Sequence, residues 1–179
     1  MRMNMENVDP DKMEGPDFPA PGSYHFEIVE IDEEDGQSGC MVATCRILAG
    51  EPADKNAGDQ TGKKHKEFFP LTPKAMGRIA QFGVALGLTT EELLREAKAV
   101  GRDPEVPFAE HGPGRQFCGK LVAETYNDKT RNKLNFAIWA VDDKRAKGIP
   151  LDTAALKKPE LPPASEEADA TFGDMADMF

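Results

Sequence analysis

Lys63, Lys64, His65 and Lys66 run directly into Phe68 and Phe69, and Lys129, Arg131 and Lys133 flank Tyr126 and lead on to Trp139. Cations that follow phosphates, mixed with aromatic faces on which bases stack at about 1–3 kcal/mol each, are what sequence-tolerant single-strand binding requires. Arg46, Arg115 and Lys120 lie in neighbouring segments and can extend such a surface. No catalytic constellation competes with this reading. The chain has no GxSxG, HExxH or Walker-type GxxxxGK[ST], and His25, His65 and His111 are scattered without an acid or Cys partner at motif spacing. They read as surface or loop histidines. Cys40, Cys45 and Cys118 are odd in number and form no CxxC, so they suit apolar filling better than zinc or a disulfide framework. The expectation is a binding protein with no catalytic residues, metal or cofactor.

A second set of residues suits a protein partner. Phe172, Asp174, Asp177, Met178 and Phe179 interleave acids with apolar side chains up to the terminal carboxylate. A solubilising tail needs no such apolar residues. A peptide ligand does: acids attract a basic surface, the ring fills a pocket and the carboxylate is captured beside it.

These residues must be positioned by strands. Residues 22–31 place Tyr24, Phe26 and Ile28 at period two, and residues 41–49 continue as a second strand after the turn at Asp35-Gly36. The Gly- and Asp-rich stretch 50–62 is a long loop, and residues 63–71 form a third strand that Pro70 limits. Thr72 and Pro73 predict a helix start, with Gly87 ending that helix, and Thr89 with Glu92 predicts a capping box for a second. Residues 115–125 and 133–141 alternate again around a loop at 127–132. Three strands, a helical segment and two strands predict an all-β domain with a helical insertion: a five-stranded Greek-key barrel with the helix between strands three and four, the OB-fold, with an open α+β sheet of the same elements as the alternative. In that fold the face of strands two and three, between the first and last hairpin loops, takes the ligand. Adjacent strand residues face opposite ways, so one of Phe68 and Phe69 must point inward, and Trp139 suits core or groove equally.

The formal charge of -10 opposes nucleic acid only until it is located. Residues 1–18 hold five acids against two bases and residues 152–179 seven against two, which leaves -2 for the body. The acidic Asp32-Glu33-Glu34-Asp35 run argues against binding beside the first hairpin unless it lies outside the groove. The expected organisation is a flexible segment at 1–18, a binding domain at 19–147 and a flexible Pro-rich and acidic tail at 148–179. The first residues read as neither signal peptide nor membrane anchor, which points to the cytoplasm. The loop at 50–62 and the connector at 101–114 are long enough to carry the contacts of a homo-oligomer.

The last six residues, Asp174-Met-Ala-Asp-Met-Phe179, resemble the acidic, Phe-terminated tip of bacterial and phage single-stranded DNA-binding proteins, although Met178 stands where that tip has a proline. The body, residues 19–141, is similar to a phage family long catalogued as a domain of unknown function and regarded as single-strand binding. The similarity lies in Pro21-Gly-Ser-Tyr-His-Phe, Phe68-Phe-Pro-Leu, the run from Gly119 to Tyr126, and Asn132 with Lys133. The resemblance implies coating of single-stranded DNA in replication or recombination, with polymerase, helicase or recombination partners recruited through the tail. The competing expectation is a protein-interaction adaptor or DNA mimic that does not bind DNA.

Overall fold

The computed structural model describes residue 6, residues 18–35 and residues 39–163. The tail residues Phe172, Asp174, Asp177, Met178 and Phe179 lie outside the described residues. Six antiparallel strands dominate. β1 (Gly22–Asp35) pairs with β2 (Cys40–Pro52) on one side and β4 (Gln116–Tyr126) on the other, and β2 pairs with β3 (Lys64–Pro70). The spatial order β4-β1-β2-β3 is that of a Greek key. β5 (Lys129–Lys133) and the two-residue β6 (Ile138–Trp139) both pair with β4.

Period-two alternation sets the core. Tyr24, Phe26 and Ile28 of β1, Ala43, Cys45 and Ile47 of β2, Phe69 of β3, and Phe117 and Leu121 of β4 are buried together. Phe26 stacks on Phe117 at 5.0 Å, and Phe69 stacks on Phe82 at 4.7 Å. Phe82 comes from α1 (Met76–Ala85), which buries Ile79, Phe82 and Ala85 on the one face that the 3.6-residue period gives it. The helical insertion between β3 and β4 is thus a wall of the core. It continues through α2 (Glu91–Ala99) and α3 (Phe108–His111).

Four local expectations are corrected. Thr72 opens a 3-10 turn over Pro73–Ala75 without a side-chain cap bond, and α1 follows it. Thr90, not Thr89, caps α2 by accepting from the Leu93 amide, because Thr89 is itself buried. The expected loop at 127–132 is a two-residue turn: Asn127 and Asp128 both take positive φ, 49° and 62°, with Tyr126 paired to Lys129 across it. That is the primed hairpin geometry, which twists the right way for the strands and which Asn and Asp tolerate. The expected fifth strand, 133–141, is broken at Asn135, whose φ is 52°. Ala137 donates back to the Leu134 carbonyl at 3.1 Å, closing a turn between β5 and β6.

That break leaves the sheet open rather than closed into a five-stranded barrel. Among the described residues no backbone ladder joins β3 to β5.

The domain also extends past residue 147. Ile149, Leu151 and Leu156 pack with Trp139 on a second cluster formed by Cys118, Val141 and Ala146. The segment from 149 to 160 crosses the outer faces of β1 and β4. Its composition reads as a linker, but three aliphatic side chains and the polar groups it meets hold it down. The Asp152 amide donates to His25 Nδ1 at 3.1 Å, the Lys157 amide donates to Gln116 Oε1 at 2.9 Å, and Gln116 Nε2 donates to the Ala155 carbonyl at 2.7 Å. Pro159 rests on Gly87, where a Cβ would stand 2.7 Å from it. No helix among the described residues is long and apolar enough to cross a membrane.

Candidate nucleic-acid interface

On β3 the alternation is strict: His65, Glu67 and Phe69 face in, while Lys64, Lys66 and Phe68 face out. The outward residues lie directly opposite those of β2, with Arg46 against Lys64, Thr44 against Lys66 and Val42 against Phe68. Three cations and an aromatic ring that is 41% exposed therefore share one surface. Arg46 also forms an ion pair with Glu27 of β1 at 2.6 Å. Lys63, just before β3, is half-buried.

The inward residues explain why the open edge holds. Glu67, 3% exposed, pairs with Arg78 of α1, meets His65 Nε2 at 2.6 Å and accepts from the Leu134 amide at 3.1 Å. Arg78 in turn donates to the carbonyls of Phe68 at 3.1 Å and Asn135 at 2.7 Å, and its guanidinium lies 4.5 Å over the Phe69 ring. One guanidinium thus spans from the β3 backbone to the backbone beyond β5. Side chains join the two edges where a ladder would otherwise do so. His65 is a buried member of this network, and His25 is buried beneath the 149–160 segment, so neither is a surface histidine.

The seam carries an aromatic residue that alternation conceals. Phe136 has the same parity as the buried Leu134 and Ile138, yet it is 63% exposed because the turn at Asn135 reverses its direction. Its carbonyl accepts from Gln81 Nε2 of α1 at 2.8 Å. Phe68 and Phe136 flank the seam, one on each side. The signal that could have revealed Phe136 is Asn135, a residue that readily takes the left-handed conformation.

Beyond the seam, the outer half of the β4–β5 hairpin is a two-stranded ribbon. Its register pairs Val122 with Lys133, Glu124 with Arg131 and Tyr126 with Lys129, so Lys129, Arg131, Lys133 and Tyr126 share one face. Tyr126 is 70% exposed at the tip. Lys120 lies on the same face of β4, opposite Ser23, and Lys133 approaches Glu124 at 3.8 Å.

Three expected site residues lie elsewhere. Phe69 is fully buried against Phe82, because Phe68 takes the outward position. Trp139 packs in the second cluster under Ile149, Leu151 and Leu156. Arg115 turns back from the start of β4 and donates to the carbonyls of His111, Leu86 and Glu160. The acids of β1 form a border: Glu30, Asp32, Glu33 and Glu34 are exposed, with Glu30 beside Thr44 and Asp32 beside Val42.

Among the described residues no group of three or more His, Cys, Asp or Glu is placed to hold a metal. The Cys118 thiol is pushed up to about 12 by burial, and burial with the nearby Glu67 raises that of Cys45, so neither is a ready thiolate. No protein-family model matches the chain, and no curated protein matches it significantly.

Proposed function

We propose that this protein binds single-stranded DNA without strong sequence preference along the outer face of β2 and β3, across the seam and onto the β4–β5 ribbon. The observation that carries the reading is the exposed Phe68 set among Arg46, Lys64 and Lys66 in one register, with the exposed Phe136 on the far side of the seam. The lysines and arginines follow phosphates, and the two rings, with Tyr126 at the ribbon tip, offer faces on which any base stacks. The site lies where an OB-fold takes its ligand, and on this reading the sheet is an OB-type barrel whose closing β3–β5 ladder is replaced by Glu67 and Arg78.

The tail completes the proposal. Phe172, Asp174, Asp177, Met178 and Phe179 would recruit replication or recombination proteins, which leaves the face around Phe68 free for DNA. The exposed acids at the end of β1 favour a second reading, in which the domain docks a basic protein instead. Fluorescence anisotropy of a labelled oligo-dT at two salt concentrations separates the two. The DNA reading predicts saturable binding whose logarithm falls with log salt by about 0.7 per phosphate contacted. Absence of saturable binding at low salt, or binding indifferent to salt, overturns it.

A further inference from the structure

A second cationic site lies away from the proposed DNA face, where the 149–160 segment passes the entry to β4. Here Arg115, Lys157, Lys158, His111, Gly114 and Pro159 line a cleft of about 510 Å³. We infer that this cleft binds a phosphate group.

The floor is Arg115. Its Nε donates to the His111 carbonyl at 2.8 Å and one terminal nitrogen to the carbonyls of Leu86 and Glu160, which fixes the plane of the guanidinium. The other terminal nitrogen has no partner among the described residues. A held guanidinium with a free edge is preorganised for a planar contact with an oxyanion. Burial lowers the pKa of Arg115, with Glu160 opposing the shift, as expected of a cation short of negative charge.

The walls bring two more cations. The Lys157 amide is anchored to Gln116 Oε1 at 2.9 Å. The Lys157 ammonium stands 3.9 Å from where a Cβ on Gly114 would lie, so it leans over the turn that feeds Arg115 into β4. Gly114 has φ of 83°, a conformation that suits glycine and leaves this approach open. Neither Lys157 nor Lys158 makes an ion pair among the described residues. Against these three permanent cations the cleft holds the Glu160 carboxylate, and Glu110 lies 3.6 Å from His111 at its edge. No aromatic ring other than His111 lines it, so it offers a nucleobase little to stack on and suits a phosphate alone.

The inference rests on this cleft and stands whether or not the face around Phe68 takes DNA. The test is ¹⁵N NMR of the full chain titrated with inorganic phosphate at constant ionic strength. Saturable shifts at Gly114, Arg115, Lys157 and Lys158, in the roughly millimolar range, are expected, with chloride giving none. The double variant Lys157→Gln/Lys158→Gln alters only exposed side chains and should weaken this binding at least tenfold. No saturable shift, an equal response to chloride, or an unchanged response in the variant overturns the inference. Oligo-dT binding by the same variant then identifies the source of the phosphate. A severalfold loss at low salt assigns it to the nucleic-acid backbone, and unchanged affinity assigns it to a free phosphate or small phosphoester.

Discussion

The outer surface of this sheet is treated in two opposite ways. Over β1 and β4 it is covered: the 149–160 segment packs over Cys118 and hydrogen-bonds His25 Nδ1 and both polar atoms of the Gln116 amide. Over β2 and β3 it is open, with Arg46, Lys64, Lys66 and Phe68 in solvent. The covered face consists of neutral polar and small side chains that a peptide can satisfy. The open face consists of long cations beside a ring, with Glu27 paired to Arg46 and with Glu30 and Asp32 of β1 in the neighbouring register positions at its border. That contrast between a covered half and an exposed, charged and aromatic half is what the proposed DNA reading rests on.

The Glu67–Arg78 seam backs the open face from the inside, and its removal is the largest perturbation available. Glu67→Ala strands the buried Arg78 charge and the Leu134 amide, and should cost about 3–5 kcal/mol, measured by chemical denaturation. A loss below about 1 kcal/mol would mean that the seam does not hold the sheet edges together.

Next in size is Gln116→Ala. It leaves His25 Nε2 and the Lys157 amide without acceptors and should cost about 1–3 kcal/mol of stability while leaving oligo-dT affinity unchanged. A parallel loss of DNA affinity would erase the distinction between the two faces. On the open face, Lys64→Gln/Lys66→Gln should reverse the pattern. Stability should hold, and the slope of log affinity against log salt should become shallower by about 1–2, as removal of two phosphate contacts requires.

The smallest expected effect is on pH dependence. His25 Nδ1 accepts from the Asp152 amide, so the proton on Nε2 is the one shared with Gln116 Oε1. Burial lowers its pKa below 6.5, against the opposing influence of Gln116, Asp152 and Glu27. The folded protein therefore prefers neutral His25. That stabilisation is present above about pH 6.5 and is lost as pH falls through the lowered folded value. Melting temperatures measured from neutral pH down to about pH 5 should fall more steeply for the native chain than for His25→Gln. Trp139, packed under Leu156 and its neighbours, should report loss of this cover by its fluorescence and remain nearly silent when oligo-dT binds.

Much of the fold was legible because strands with one buried face write period two into the sequence. The core residues Tyr24, Phe26 and Ile28 follow from that alternation alone, as does the rule that one of Phe68 and Phe69 faces outward. What was not legible depended on single backbone reversals and on distant partners. Asn135 flips Phe136 out of a pattern that buries it, and Asn127-Asp128 turns an apparent loop into a tight hairpin. Arg115 looked like a groove cation, but its partners Leu86 and Glu160 are 29 and 45 residues away. Composition also misread residues 148–160, since prolines and acids suggest a linker while Ile149, Leu151 and Leu156 supply enough apolar area to dock.

The central claim is that Phe68 and Phe136 form a stacking surface across the seam, and oligo-dT affinity of Phe68→Ala/Phe136→Ala tests it most directly. Each ring lost should cost about 1–3 kcal/mol, so binding should weaken by about fivefold or more per ring while the melting temperature stays near that of the native chain. An affinity equal to that of the native chain, in a variant that remains folded, would contradict the account.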